Sequence, residues 1–422
     1  MPDKSKEDAL VRILKEELIR ATGCTEPVAI AYCAATLREV LGAVPERLRA
    51  ELSGNILKNA KSVVVPNTGG LKGIKAALAA GIIAGDAGQG LQLLSEADPA
   101  KIPQIKDYAQ NIPIDVILSE SGRLLDIKVS GRAGEDEAAV RIADAHDRIV
   151  RIEKNGEILQ EEALAAEASE EEAEDAWLDL RTIWDFATET DIAPLKEILD
   201  DQIRCNQAIA EEGLKNDWGA NIGSTLLAAE NNGIKTEAKA YAAAGSDARM
   251  GGCEMPVVII AGSGNQGLGS SLPVLRYAKY LEAGPEKTYR ALILSNLVTH
   301  YQKLGIGRLS AYCGAVSAGV AAGAGIAYLH GGGYEAVAQT IINAIAILSG
   351  TICDGAKPSC AAKIAAAVDA GIWGYEMYRN QQNFESGDGI IGEDVDATIR
   401  SVGRLASEGM LETDRTILDI MS

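Results

Sequence analysis

The stretch Ala311-Tyr-Cys-Gly-Ala-Val-Ser-Ala-Gly-Val-Ala-Ala-Gly-Ala-Gly-Ile-Ala-Tyr-Leu329 carries no charge and few large side chains. Ala336–Ile352 repeats the character with polar Gln339 and Asn343 inside it. Gly and Ala at this density let helix backbones approach closely, and the scarcity of Leu and Phe argues against a membrane span. Both stretches are therefore expected to be buried, tightly packed helices. Working outward, the pattern is helical almost throughout from Leu178 onward, broken by glycine-dense segments at Gly251-Gly252, Gly262–Gly269, Gly331–Gly333 and Cys353–Cys360.

The first half reads differently. Residues 5–20 place Leu10, Ile13, Leu14 and Leu18 on one helical face, and Pro27 opens a second helix running to about Leu41. Strand patterning follows at Leu48–Ser53 and Ser62–Val65, with Gly54–Lys61 between them, then a small-residue helix over Lys72–Ala84. Further strands are expected at Pro113–Ser119, Leu124–Val129, Glu137–Ile142 and Ile149–Glu153, with turns at Ser121-Gly122 and Asn155-Gly156. The fold class is α+β: an N-terminal α+β substrate-binding domain over 1–175, then a mainly α-helical, Gly/Ala-rich domain over 176–422. The Glu/Ala-rich run Glu161–Asp175 is expected to be a solvated helix joining them.

A chain of 422 residues is long enough for two cores, and 47% hydrophobic with 24% charged residues marks a folded protein. A formal net charge of −20 excludes a nucleic-acid partner and an anionic membrane surface, both of which need clustered Lys and Arg. The N-terminal residues show no basic region followed by an apolar run, so the cytoplasm is the expected location. A Gly/Ala-rich helical half often packs into a homodimer, although the sequence leaves the oligomeric state open.

Seven cysteines without a secretion signal do not describe a disulfide framework. Cys33 falls on the apolar side of its helix and reads as a buried thiol. Cys313, Cys353 and Cys360 form a C-x39-C-x6-C arrangement in which the last two share a turn-forming segment holding Asp354 and Lys357. Three thiolates suit an iron–sulfur cluster with one iron left open, whereas a closed structural site wants four ligands. Spacing alone leaves equal room for three buried thiols that never meet.

Three other polar segments interrupt apolar surroundings. Thr22-Gly-Cys-Thr-Glu-Pro27 sets Cys24 at a helix start, where the dipole lowers a thiol's pKa. Ser53-Gly-Asn-Ile-Leu-Lys-Asn59 and Val65-Pro-Asn-Thr-Gly-Gly70 offer Ser53, Asn55, Lys58, Asn59, Asn67, Thr68 and Gly69 to a small anionic ligand, although a hairpin-like turn explains 67–70 equally well. Gly262-Ser-Gly-Asn-Gln-Gly267, with Ser263, Asn265 and Gln266, carries the Ser-x-Gly-Asn pattern of pyridoxal-phosphate loops, but no partner lysine stands on a strand upstream. His146, His300 and His330 are too scattered for a zinc site.

Taken together and in order, Ala21–Pro27, Ser53–Asn59, Val65–Gly69, Gly262–Gly267 and the Cys313/Cys353/Cys360 set resemble the L-cysteine desulfidase family, itself related to the iron–sulfur L-serine dehydratases. The resemblance covers nearly the whole chain. It implies a 4Fe–4S cluster on Cys313, Cys353 and Cys360, and conversion of L-cysteine and water to pyruvate, ammonia and hydrogen sulfide. An iron without a protein thiolate would act as Lewis acid on the leaving sulfur. Cys24 is then either the base that takes the Cα proton or a fourth, displaceable cluster ligand. The serine dehydratases carry a Ser/His-rich segment where Thr22–Pro27 aligns, and Cys24 in its place favours the cysteine-cleaving branch over L-serine dehydration. A non-catalytic sensor of an amino acid and a cluster is the alternative outside enzymology.

Overall fold

The computed structural model describes residues 4–95, 97–164, 177–229, 233–307 and 310–421. Six strands, β2 (Arg47–Leu52), β3 (Ile114–Leu118), β4 (Asp126–Ala133), β5 (Asp136–Ala143), β6 (Ile149–Lys154) and β7 (Glu157–Glu161), form a sheet ordered β3-β2-β4-β5-β6-β7. Only the β2–β3 pair is parallel. Strand β2 shows why the sheet has two unlike faces: Leu48, Ala50 and Leu52 alternate with Arg47, Arg49 and Glu51. Its apolar face meets α2 (Thr25–Leu41), which packs in turn on α4 (Ile74–Ala84), and Leu48, Ile127, Val129 and Val140 bury against Ile30, Ala34 and Leu37. Cys33 lies within this core and its thiol donates to the carbonyl of Val140, the inert role expected of it.

Asp126, at the start of β4, is almost wholly buried and accepts two hydrogen bonds from Arg141, at 2.7 and 2.9 Å, and one from Ser119. Burial pushes its carboxyl up, but the hydrogen bonds outweigh that and hold it below the usual range. A depressed folded pKa contributes stability above the unfolded carboxylate value, lost as pH falls through the folded value. Arg141→Met should therefore destabilise the chain by about 3 kcal/mol near neutrality, because it strands a buried carboxylate. The deficit should shrink at pH 3, as protonation relieves the lone carboxylate, and urea denaturation at the two pH values measures it.

Among the described residues the remainder is mainly helical: α6 (Leu180–Glu189), α7 (Lys196–Lys215), α8 (Ile222–Ala229), α9 (Ile234–Met250), α10 (Gly264–Tyr280), α11 (Pro285–Ile306), α12 (Gly314–Leu329), α13 (Tyr334–Leu348), α14 (Ser359–Arg379), α15 (Val395–Arg404) and α16 (Leu411–Met421). The Gly/Ala stretches are α12 and α13, both largely buried, and among the described residues no helix is long and apolar enough to cross a membrane. Helices α12 and α14 touch backbone to backbone: a Cβ on Gly371 would fall 2.1 Å from the Gly319 carbonyl oxygen. That contact is what the glycines are for.

Helix α1 (Lys4–Glu17) buries Leu10, Ile13 and Leu14, together with Leu18 just beyond it, in the core of this helical part. The short strand β1 (Arg20–Thr22) then pairs antiparallel with β8 (Pro256–Val258), so the chain reaches the sheet region only after being tied to the helices. Three local expectations are corrected. Gly54–Lys61 is not a connecting loop but contains helix α3 (Gly54–Ala60). Ser62–Val65 makes a single bridge, Val64 to Lys72, rather than a strand. Helix α5 (Ile102–Asn111) and β7 arise where no element was expected. From residue 165 on, the expected Glu/Ala-rich helix lies outside the described residues.

Candidate active site

Two backbone hydrogen bonds, Cys313 N–H to the Thr351 carbonyl at 2.9 Å and Cys353 N–H to the Ala311 carbonyl at 2.6 Å, join the start of α12 to the loop before α14. They set the Cys313 and Cys353 thiols against each other in a hydrogen bond, which pushes Cys313 well up and pulls Cys353 down, with Lys58 and Lys303 reinforcing the latter. Cys360 stands in the first turn of α14 and interacts electrostatically with both. Together with Ala356 it packs against a small buried cluster of Cys24, Val63 and Met250, which brings Cys24 to the same region from the far end of the sequence. Three of these cysteines mark helix starts: Cys24 precedes α2, Cys313 precedes α12 and Cys360 lies in the first turn of α14. The positive ends of three helix dipoles thus converge where thiolates or an anionic ligand would sit.

Cationic groups surround the cysteines. Lys58 is buried and pairs with Asp414 of α16 at 2.5 Å. Asp354 is bracketed by Lys357 and Lys363: burial raises its carboxyl, and the two ammonium hydrogen bonds overcome this and bring it down to about 2. The loop is held down at Gly355, whose φ of +95° and position over the Lys58 carbonyl leave no room for a side chain.

The serine dehydratase alpha chain family model matches residues 115–419, which takes in strands β4 to β7, the cysteine loop and most of α16. The chain belongs to that family. Relatives of high similarity are UPF0597 proteins. That of Desulfitobacterium hafniense is 54% identical over 97% of this chain and 96% of its own length. Those of Lachnoclostridium phytofermentans and Phocaeicola vulgatus are 48% and 37% identical, over 98% and 99% of this chain and 99% and 98% of their own lengths. The serine dehydratase alpha chain family is of lyase type and is associated with iron–sulfur clusters. Its relationship to iron–sulfur serine dehydratases is the one the ordered motifs implied.

In this family member the sequence-nominated polar residues divide into two groups. Several are committed to the scaffold. The Ser53 hydroxyl donates to the Leu124 carbonyl and accepts from Asp126 N–H, Asn67 ties its loop to the Leu94 carbonyl, and Thr68 closes its own turn onto Val65. Gly69 supplies a left-handed turn residue. Asn59 donates to Glu26, and Ser263 caps α10 by accepting from Gln266 N–H. Asn265 accepts from Ser246. Others face the cysteines: Lys58 through Cys353, and Gln266, whose amide occupies the space a side chain on Gly314 would take. Asn55 Oδ1 and Gln266 Oε1 are buried acceptors without a partner. Cys24 is not the near-neutral thiol its helix-start position suggested. Burial dominates the dipole and Arg249, and pushes it up to about 12.

Among the described residues no group of His, Cys, Asp and Glu stands as ligands to a single metal ion. A cluster makes a different demand, since each thiolate serves its own iron. The donor set fits that demand: three buried or half-buried thiols and a fourth beside them, helix N-termini, four lysines to offset negative charge, and orphaned amide oxygens. Arg249 escaped the sequence reading. Its signal was a lone arginine directly after the buried run Ala242–Ala248, in which Asp247 is the one charged residue, and just before Gly251-Gly252.

Proposed function

We propose that the protein is an L-cysteine desulfidase, converting L-cysteine and water to pyruvate, ammonia and hydrogen sulfide with a 4Fe–4S cluster on Cys313, Cys353 and Cys360. The observation that carries the reading is the meeting of Cys24 with Cys360 beside the Cys313–Cys353 pair. When bound, the cluster supplies a Lewis-acidic iron that stabilises the departing sulfur. Lys58 and Lys303 keep the surroundings electropositive, which favours charge developing on a carboxylate as the Cα proton leaves. Asn55 Oδ1 and Gln266 Oε1 suit the substrate ammonium, since each is an acceptor with nothing to accept. Electrostatic proximity to Cys360 and deep burial support Cys24 as the displaceable fourth thiolate rather than the proton acceptor. In this scheme the 1–175 part contributes Cys24 and α3, and the 176–422 part holds the cluster.

The second reading, L-serine dehydration at the same centre, is favoured by the matched family's description. Anaerobic reconstitution followed by parallel assay of pyruvate from L-cysteine and L-serine separates the two. Cysteine should be preferred by about tenfold or more in kcat/KM, with sulfide released in equal amount to pyruvate. Preference for serine selects the second reading, and full cysteine cleavage by iron-free protein sinks both.

A further inference from the structure

Arg249, in the last turn of α9, is only 7% exposed, yet no carboxylate pairs with it among the described residues. One of its N–H groups donates to the Gly23 carbonyl at 3.0 Å, and its Nε is buried without any partner. A guanidinium out of water without an anion is costly, and the usual resolution is a bidentate carboxylate or phosphate. The surroundings set this guanidinium against a helix start. Nε stands 2.5 Å from where a side chain on Gly264, the first residue of α10, would begin. Ser263 takes the Gln266 N–H, and the N–H groups of Gly264 and Asn265, at the same helix start, have no intrahelical acceptor. Cys24 lies near enough for Arg249 to interact with it electrostatically, and it interacts likewise with Cys360, which packs on the same small cluster.

We infer that Arg249 and the start of α10 form the receptor for the α-carboxylate of the amino-acid substrate. The inference rests on the proposed reading for the substrate class, but the receptor itself is defined by Arg249, Gly264 and the helix start. The absent side chain of Gly264 lets the guanidinium itself lie against the helix start, where it and the free N–H groups can share one anion. The planar fork fixes the amino acid's orientation, which a lysine's point charge would do poorly. Cys24 interacts electrostatically with both Arg249 and Cys360, so a carboxylate held there lies in the neighbourhood of the cysteines.

The test uses full-length, anaerobically reconstituted protein and two probes in equilibrium calorimetry. L-Alanine keeps the carboxylate and lacks a leaving group, and cysteamine keeps the thiol and lacks the carboxylate. Arg249→Gln should weaken L-alanine about 30-fold or more while leaving cysteamine binding, iron and sulfide content and the visible absorption spectrum unchanged. Arg249→Lys should recover part of the loss. Gly264→Ala, whose methyl group displaces the guanidinium, should weaken L-alanine alone, and circular dichroism reports whether each variant folds. Unchanged L-alanine affinity in Arg249→Gln and Gly264→Ala overturns the receptor, as does failure of the unaltered protein to bind L-alanine. Parallel loss of iron and of both probes assigns Arg249 to balancing the thiolates instead and also overturns it. The iron content and turnover of the unaltered protein judge the desulfidase reading separately, since the L-alanine arm needs no turnover.

Discussion

Cys360→Ser is expected to leave a folded protein that retains little cluster and loses turnover by about a thousandfold or more, because an alkoxide-poor serine replaces one of three thiolate ligands. Cys313→Ser and Cys353→Ser should behave alike, and their non-additivity is informative: once one thiolate is missing, removing a second should cost little more. Cys33 and Cys205 serve as controls, being buried thiols away from the centre, so Cys33→Ala and Cys205→Ala should keep full iron. Cys24→Ala divides its two roles. As a displaceable ligand it should change the absorption spectrum and speed oxidative loss of iron. As a base it should abolish turnover with the cluster spectrum unchanged. Iron and sulfide analysis of anaerobically prepared variants, beside pyruvate formation, gives the answer. Full iron retention by all three serine variants would refute the assignment of ligands.

Gly355→Ala is expected to be nearly as damaging while touching no chemical group. The residue has φ +95°, and an added Cβ would lie 2.3 Å from the Lys58 carbonyl oxygen and 3.0 Å from its carbon. Both obstacles are backbone, so neither rotates away. The left-handed conformation costs about 1–2 kcal/mol for a residue with a Cβ, and overpacking adds about 1–3 kcal/mol, so a loss of roughly 3 kcal/mol in stability is expected. The route of relief matters more than the sum. The cysteine loop must lift from α3, which separates Cys353 from Lys58 and disturbs its pairing with Cys313. Thermal unfolding together with iron content should therefore show both a lowered midpoint and incomplete cluster loading. A variant as stable and as iron-rich as the parent would show that α3 does not brace the loop.

Much of the fold was legible locally. Alternation in Arg47–Leu52 and apolar spacing in Leu10–Leu18 report a period, and period is decided by near neighbours in the chain. The charge, and the nomination of Cys313, Cys353 and Cys360, also came from the sequence. Helix α3 was missed because the seven residues Gly54–Ala60 open with Gly-Asn and are held largely by what they pack on, the Gly355 loop and Leu418 of α16. The sequence likewise misjudged Cys24: its helix-start position is local and visible, whereas the desolvation that overrides it comes from Val63, Met250 and Ala356.

What the sequence determined by itself is the α+β class, the Gly/Ala helices and the set of residues able to carry chemistry. Tertiary structure alone decided which of those residues meet. Cys24 reaches Cys360 because β1 is tied to β8 and α1 is buried among the later helices, contacts separated by more than two hundred residues. It alone also spent Ser53, Asn67 and Thr68 on the scaffold while leaving Arg249 Nε buried and without a hydrogen-bond partner among the described residues. Burial and partnership are properties of the packed chain, and no count of donors and acceptors along the sequence contains them.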